Sequence, residues 1–413
     1  MVTVKPFYAL RPEQSLAPMV AALPYDVMSS DEAREMVKNN PYSFLHIDKA
    51  EVDLDESIDL YDQRVYDKAC ENLLMFEKDG IYIYDNTKRY YFYRQIMNGH
   101  SQTGIVGCAS IDDYLENRIK KHEFTRADKE IDRIKHVTAC SAQTGPIFLA
   151  FKENEALEKI IIDETKKTPI YDFVAEDGVR HTVWGCSNDQ VNREIENNFS
   201  QIDSLYIADG HHRAASAVKV GIEKRKQCKN FTGEEEFNYF LSVIFPAKSL
   251  KILDYNRLVK DLNGLTSYEF LRIVEERVGK VEEYNFGAYR PEKRHTIGLY
   301  LDNRWYKVTF YDHLCHGDSV VDCLDCSILQ ENLLSKILGI NNPRSDKRID
   351  FAGGIRGIEY LEKRCKSDMK LAIAMYPTSL DELMDVADSG QVMPPKSTWF
   401  EPKLRSGLLI HKI

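Results

Sequence analysis

Residues 204–217 read SLYIADGHHRAASA, a run of apolar residues followed by a cluster of charged and polar ones. Its first apolar residues predict a short buried strand, and residues 214–226 predict a helix. We expect Asp209 at the N-cap of that helix, while Gly210 lets the chain turn sharply between the two elements. The sequence therefore predicts a strand, a tight turn and a helix, with polar side chains gathered at the turn.

The turn has the residues of an anion-binding site. Unpaired N–H groups in a first helical turn and the positive end of the helix dipole attract negative charge. Arg213 can bind phosphate oxygens with both arms of its guanidinium, and His211 and His212 can donate hydrogen bonds, bind a metal or carry protons. A capped helix whose histidines only satisfy the turn is the alternative. Two histidines and an arginine in one turn favour a functional site.

The composition is that of an ordinary globular protein. A length of 413 residues predicts two or three domains, and 43% hydrophobic with 29% charged residues is typical of soluble proteins. The net charge of −10 argues against a dedicated nucleic-acid-binding protein. The first residues lack the apolar segment of a signal peptide, and no apolar run is long enough to cross a membrane. We therefore expect a cytoplasmic protein without a membrane partner.

The nine cysteines are scattered along the chain, and we expect free thiols rather than disulfides. Cys323 and Cys326 have the spacing of metal ligands. Because no second pair of this kind exists, the pattern does not favour a zinc site.

The N-terminal region places polar residues beside apolar ones. Residues 40–47 read as a turn that enters a strand. Tyr25, Asp26, Ser43 and His46 could line a substrate pocket. An N-terminal strand and helix that merely pack on a sheet explain these residues equally well.

Downstream, several elements follow from periodicity alone. Residues 60–79 predict a helix, because their apolar positions recur at helical spacing. Two tyrosine-rich runs between residues 81 and 111 predict strands, with a hairpin turn at Asn98-Gly99. Residues 250–310 alternate a helix with strands, which indicates an α+β layer.

A second polar cluster lies in residues 119–134. His122 and Glu123 are predicted in a loop just before a helix, and Thr125 with Asp128 resembles a capping box. A carboxylate among so many lysines and arginines stays ionised and, if partly buried, can act as a general base. The alternative is a solvated, charged helix start, which this stretch on its own favours.

Two C-terminal segments could also bind anions. The glycine pair at residues 353–354 has basic neighbours but is weak evidence. Residues 393–407 are more unusual, because three prolines stiffen them and would hold Lys396, Lys403 and Arg405 at fixed positions. A surface tail anchored by its aromatic residues is the alternative.

Six motifs, in order, resemble the bacterial DUF1015 family over nearly the whole chain: LPYDV, NPYSFLHI, KKHEFT, YIADGHHRAASA, DKRIDFAGG and MPPKSTWFEPKLRSGL. That family is similar to the ParB/sulfiredoxin-like superfamily, whose members share an Asp-Gly-x-His-Arg turn. Together with the predicted elements, the resemblance implies an α+β fold of mixed sheets with flanking helices. We expect an N-terminal α/β region at 1–110, a ParB-like catalytic core at 111–246 and a C-terminal α+β region at 247–413.

The resemblance also implies an activity. In ADP-dependent serine kinases a His-Glu pair precedes the turn, and its Glu is the base toward the serine hydroxyl. His122 and Glu123 match this pair, and residues 209–213 match the turn. A long insertion separates the two motifs here, and this departure concerns the identity of the donor rather than the base. The pyrophosphate-dependent serine kinases look like the DUF1015-type members of this group, and the chain resembles them more than the short ADP-dependent enzymes. The implied substrates are therefore pyrophosphate and free L-serine, with Glu123, His122 and Asp209 catalytic.

Phosphoryl transfer needs positioning, charge neutralisation and a base, and the residues above can supply these. Mg²⁺ would bridge donor oxygens with few protein ligands, Asp209 among them. The residues expected to bind phosphate are Gly210, His211, His212, Arg213, Lys396, Lys403 and Arg405.

Two other functions remain open. The first is an ADP- or ATP-dependent kinase of serine or of another small hydroxyl compound. The absence of a P-loop and of the protein-kinase motifs disfavours an ATP kinase of either usual kind. The second is a non-catalytic ParB-like protein that binds nucleotides or nucleic acid. The acidic charge and the missing helix-turn-helix signal make a nucleic-acid partner unlikely on sequence grounds.

Overall fold

The computed structural model describes residues 1–413 and divides into two compact units. Unit 1 consists of Met1–Lys121, Thr125–Leu250 and Pro402–Ile413, and unit 2 consists of His122–Phe124 and Lys251–Glu401. The last residues of the chain therefore return to unit 1. The boundaries of the three regions expected from the sequence, 1–110, 111–246 and 247–413, stay a prediction.

The strands follow one another along the chain as β1 (Val4–Lys5), β2 (Ala9–Pro12), β3 (Tyr82–Tyr84), β4 (Tyr91–Met97), β5 (His100–Ser110), β6 (Ile119–Lys120), β7 (Ala142–Gln143), β8 (Ile147–Phe151), β9 (Tyr171–Val174), β10 (Arg180–Gly185), β11 (Leu205–Asp209), β12 (Tyr239–Pro246), β13 (Lys251–Leu253), β14 (Tyr255–Val259), β15 (Gly279–Tyr284), β16 (Thr296–Leu301), β17 (Arg304–Phe310), β18 (Ile349–Gly353), β19 (Leu371–Met375), β20 (Trp399–Glu401) and β21 (Ile410–Lys412).

The α-helices are α1 (Ala17–Val20), α2 (Ser30–Val37), α3 (Leu45–Asp48), α4 (Gln63–Lys78), α5 (Ile111–Leu115), α6 (Ala127–Cys140), α7 (Glu155–Glu164), α8 (Asp189–Phe199), α9 (His211–Gln227), α10 (Ser267–Arg277), α11 (Asp325–Leu329), α12 (Ile358–Ser367) and α13 (Leu380–Asp388). None of them combines the length and the apolar character that a membrane span requires.

Unit 1 is built on a nine-stranded mixed sheet. Its strands run in the order β6-β11-β8-β12-β5-β4-β10-β9, and β1 pairs with β5 outside this path. Strand β12 is parallel to β8 and antiparallel to β5. All eight residues of β12 are buried, because a central strand covered on both faces needs a continuous apolar run. A second sheet has the order β3-β2-β21-β7.

Local sequence explains several elements of unit 1. Helix α4 buries Val65, Ala69, Leu73 and Phe76 on one face. Asp62 caps it, because its side chain accepts a hydrogen bond from the backbone N–H of Arg64. The β4–β5 hairpin turns at residues 98–99, where both φ angles are positive, at 50° and 78°, as expected for an Asn-Gly turn. Both predictions are confirmed.

Unit 2 contains a six-stranded antiparallel sheet in the order β15-β17-β16-β19-β14-β18, and a two-stranded sheet of β13 and β20. Its core packs Leu258, Trp305 and Ala372 from the strands against Leu361 of α12. Mixed sheets with flanking helices make the whole chain an α+β protein, as the sequence predicts.

Two local predictions were wrong. Residues 40–47 do not enter a strand, because the chain forms the short helix α3 from Leu45. The predicted capping box also does not form. The N-cap of α6 is Arg126, without a side-chain hydrogen bond, and the Thr125 hydroxyl instead donates to Glu130 at 2.9 Å.

Candidate functional site

The strand–turn–helix of residues 204–217 lies in unit 1, with one correction to the predicted cap. Asp209 is the last residue of β11, and the N-cap of α9 is Gly210, whose φ of 94° is in the left-handed region. A Cβ atom at this position would lie 3.1 Å from Nε of Arg213. Two features therefore favour glycine at this position. The backbone is left-handed, and a larger side chain would crowd the Arg213 guanidinium.

Two cations converge on the Asp209 carboxylate. Nη2 of Arg213 and Nζ of Lys403 each lie 3.5 Å from Oδ2 of Asp209. The two cationic side chains are almost buried, whereas 33% of the Asp209 side chain is exposed. Nη1 of Arg213 also donates to the carbonyl of Pro146 at 2.6 Å. These contacts fix both cations beside an accessible carboxylate.

The charges in this cluster support one another. Burial by itself raises the pKa of Asp209, but Lys403 and Arg213 outweigh it and bring the pKa below its ordinary value. Burial lowers the pKa of the Arg213 guanidinium, and the carboxylates of Asp209, Asp26 and Asp48 raise it above its ordinary value. The Asp209 carboxylate and the Arg213 guanidinium of the Arg213–Asp209–Lys403 cluster are therefore both ionised at neutral pH.

Other predicted phosphate-binding residues have different surroundings. Lys403 is positioned by Gln95, which donates to its carbonyl at 2.8 Å. Arg405 is buried in an ion pair with Asp177 and donates to Nε2 of His181 at 3.3 Å. Lys403 therefore lies beside Asp209, whereas Arg405 forms an ion pair with Asp177. Lys396 belongs to unit 2, where its Nζ lies 5.8 Å from the ring centroid of Tyr255.

The two histidines of the turn differ in their surroundings. His211 is the buried first residue of α9. His212 accepts a hydrogen bond at Nε2 from the backbone N–H of Arg126, at 2.9 Å. This bond ties the chain that follows Glu123 to the helix that carries Arg213. The motif alone did not reveal this contact of His212.

The predicted catalytic pair has well-defined neighbours in unit 2. His122 is buried, its carbonyl accepts from the N–H of Met393 at 2.8 Å, and its Nε2 lies 3.4 Å from the hydroxyl of Thr398. Glu123, the next residue, is partly exposed. A partly exposed carboxylate beside a firmly held residue suits a general base.

A small pocket lies beside Arg213 in unit 1. Its walls include both polar and apolar side chains: Tyr25, Asp48, Arg133, His136, Val137, Gln143, Thr144, Gly145, Ile147, Arg213 and Ala217. Several of these residues were not predicted from the sequence. The available signal was weak, namely an arginine and a histidine three residues apart on the inner face of α6.

The four predicted substrate residues are divided by the structure. Tyr25 lines the pocket, and Asp26 acts electrostatically on Arg213. Ser43 and His46 are not among the lining residues. The Ser43 hydroxyl accepts from the N–H two residues later at 3.3 Å, and Nδ1 of His46 lies 2.8 Å from Asp53. These last two are engaged within their own segment.

The residues fit Mg²⁺ only in one binding mode. The chain has no group of three or more His, Cys, Asp or Glu side chains that could hold a metal ion, and the nine cysteines are free. Asp209 offers one partly exposed carboxylate. This suits a Mg²⁺ that takes one protein ligand and completes its shell with donor oxygens and water.

Comparison with known proteins gives the family. The chain resembles several solved structures: a free serine kinase in complex with AMP (16% identity, 73% of this chain and 90% of that chain, TM-score 0.36), SbnI from Staphylococcus aureus with a C-terminal truncation (11%, 74% and 86%, TM-score 0.38), and a conserved hypothetical protein from Pyrococcus furiosus (16%, 73% and 93%, TM-score 0.36). At these TM-scores the likenesses carry no argument. No curated protein matches the chain. The family model for a protein of unknown function, DUF1015, matches residues 4–327, and the chain therefore belongs to the DUF1015 family.

Proposed function

We propose that this protein transfers a phosphoryl group from pyrophosphate to the hydroxyl of free L-serine, giving O-phospho-L-serine and orthophosphate. The observation that carries the proposal is the pair of nearly buried cations, Arg213 and Lys403, held 3.5 Å from Asp209 where α9 begins. Pyrophosphate has no nucleoside that a protein could bind, so its binding energy must come from cations and backbone N–H groups. The Arg213–Asp209–Lys403 cluster supplies the cations, and the start of α9 supplies the N–H groups.

In the proposed reaction Glu123 is the general base. The serine oxygen attacks a phosphorus atom of pyrophosphate, its proton passes to the Glu123 carboxylate, and the bridging P–O bond breaks to release orthophosphate. Arg213 and Lys403 neutralise charge on the phosphate oxygens as the bond breaks. Asp209 keeps these two cations in place and would hold Mg²⁺, which when bound neutralises further charge on the donor.

The remaining predicted residues have supporting roles in this proposal. His212 holds the loop after Glu123 through the N–H of Arg126. Arg405, paired with Asp177, anchors the segment that carries Lys403. Lys396 is proposed as an additional phosphate contact.

The test is a matrix of donors and acceptors. Pyrophosphate, ADP and ATP are each combined with L-serine, L-threonine and glycerol in the presence of Mg²⁺, and products are identified by mass spectrometry. We expect O-phosphoserine from pyrophosphate and L-serine. Formation of phosphoserine only from ADP or ATP would reject the donor, and a product only from another acceptor would reject serine.

The base is tested by Glu123→Gln, with the exposed Glu153→Gln as the matched control. A positioned general base contributes about 10²- to 10⁴-fold to the rate, so kcat should fall by that factor in the first variant and stay unchanged in the second. A Glu123→Gln enzyme within about threefold of the wild-type kcat would remove Glu123 from this role.

A further inference from the structure

The pocket beside Arg213 is lined by buried polar side chains that have no part in the proposed phosphate chemistry. Helix α6 places Arg133, His136 and Val137 at positions i, i+3 and i+4, so they share one face, and all three line the pocket. Asp48, the last residue of α3, and Thr144, which follows β7, complete this polar wall.

Arg133 is held rigidly but leaves part of its guanidinium available. Its Nε donates to Asp132 at 2.9 Å, and its guanidinium lies 3.9 Å from the ring centroid of Tyr25. Its Nη1 is 3.8 Å from Oδ1 of Asp48, which is too long for a hydrogen bond. The Arg133–Asp48 pair is thus adjacent without being closed by a direct hydrogen bond.

Asp48 is buried, and its orientation is set by Thr144. The Thr144 hydroxyl donates to Oδ1 of Asp48 at 2.8 Å. The pocket wall therefore presents a carboxylate and a guanidinium side by side.

His136 adds a hydrogen-bond acceptor to this wall. Its ring is 2% exposed, and Nε2 lies 2.9 Å from the carbonyl of Ile47. Because a carbonyl only accepts, Nε2 carries the hydrogen. Burial and the charge of Arg133 lower the pKa of His136, so the ring is neutral and Nδ1 is an acceptor. Nδ1 is buried and has no hydrogen-bond partner, which is a costly state that a ligand donor would relieve.

We propose that this pocket binds the acceptor substrate as an α-amino acid zwitterion, with its carboxylate on Arg133 and its ammonium on Asp48 and Nδ1 of His136. The ligand's role as acceptor rests on the proposed function. An α-amino acid carries its two charges on one carbon atom, so it needs a cation and an anion next to each other, as Arg133 and Asp48 are. A neutral alcohol would leave both charges unmatched, and pyrophosphate would face the Asp48 carboxylate.

The test measures binding to the full chain by calorimetry and needs no turnover. L-alanine keeps both charged groups of L-serine but lacks the hydroxyl, so it cannot be phosphorylated. Propanoate lacks the ammonium, and ethylamine lacks the carboxylate. We expect L-serine and L-alanine to bind, and the other two to bind roughly tenfold to a hundredfold more weakly, since each loses charged hydrogen bonds.

The variants are Asp48→Asn and His136→Gln. The second keeps an N–H that can reach the Ile47 carbonyl, while its amide oxygen does not occupy the ring position of Nδ1. Asp113→Asn is the control for buried-carboxylate loss, because Asp113 is 1% exposed, pairs with Arg118 at 2.7 Å and does not line the pocket. We expect both pocket variants to bind L-alanine roughly tenfold more weakly, and the control to bind it normally. Melting temperatures confirm that each variant is folded.

The outcomes separate this inference from the proposed function. If L-alanine does not bind, if propanoate or ethylamine binds as well, or if both pocket variants keep wild-type affinity, the inference is wrong. Phosphoserine formation alongside such a result would leave the proposed function standing. Selective L-alanine binding that is lost in the pocket variants, with no phosphoserine from any donor, would support the amino-acid site and reject the proposed function.

Discussion

Replacing Gly210 with alanine should disturb the anion site through a single methyl group. Gly210 has a φ of 94°, and a Cβ atom there would lie 3.1–3.2 Å from three atoms of the Arg213 guanidinium. The backbone and the side chain thus make separate demands for a glycine at this position.

Both demands can be converted into free energy. An L-residue other than glycine in the left-handed region loses about 1–2 kcal/mol. The Arg213 side chain cannot move away from the added methyl group without loss, because it donates to the Pro146 carbonyl at 2.6 Å and lies beside Asp209. Weakening a hydrogen bond of a charged group costs up to about 1.5–3 kcal/mol. The sum predicts that Gly210→Ala lowers the free energy of unfolding by up to about 2.5–5 kcal/mol.

The matched control is Gly80→Ala. Gly80 also has a positive φ, of 72°, but a Cβ atom there would meet nothing within 4 Å. It should therefore show only the backbone cost of about 1–2 kcal/mol. Urea unfolding measures the two losses, and calorimetry measures pyrophosphate affinity, which should fall in Gly210→Ala alone. Equal destabilisation of the two variants, with unchanged pyrophosphate affinity, would refute the argument that Gly210 positions Arg213.

Three further predictions concern single charges. Lys403→Met should raise the pKa of Asp209, because a cation beside the carboxylate is lost; a carboxyl ¹³C NMR titration that shows no upward change would contradict this. The wild-type pKa of Asp209 is below its ordinary value. Ionisation of Asp209 therefore stabilises the folded state above the unfolded-state pKa, and this contribution is lost as the pH falls through the folded-state pKa. Because Lys403→Met reduces this contribution, acid unfolding of the variant should begin at a higher pH than that of the wild type. Arg213→Lys keeps the charge but loses the planar fork, so the donor KM should rise by roughly tenfold; an unchanged KM in steady-state assays would place the phosphates elsewhere. Lys396→Ala should weaken donor binding in calorimetry with little change in melting temperature, and wild-type affinity would make Lys396 a structural residue.

Elements set by near neighbours were predictable from the sequence. Helix α4 follows from the spacing of its apolar residues, and the β4–β5 hairpin follows from Asn-Gly. The strand and helix around residues 204–217 follow from a short apolar run, typical of a buried strand, that is followed by apolar residues at helical spacing. In each case the interactions that decide the structure lie within a few residues of one another.

The ends of elements were less predictable. A side-chain cap depends on which N–H groups are already paired and on where the chain must turn. Gly210 takes the cap position expected of Asp209, because β11 continues through Asp209 in its pairing with β8. Thr125 likewise donates to Glu130 rather than capping its own helix. Strand pairing overrode the local preference at Gly210, and a competing contact within the same helix start did so at Thr125.

Sequence patterns were enough to identify the family, the α+β class and the charged Asp-Gly-His-His-Arg turn. The identity of the cation that joins this turn, and of the groups beside it, depends on how distant parts of the chain pack together. Lys403 reaches Asp209 because the last residues of the chain fold back into unit 1, whereas Arg405 pairs with Asp177. Asp48 and Thr144, 96 residues apart, meet in one pocket wall. Such contacts depend on the packing of whole elements, because a charged side chain is satisfied by whichever partner the fold places within reach.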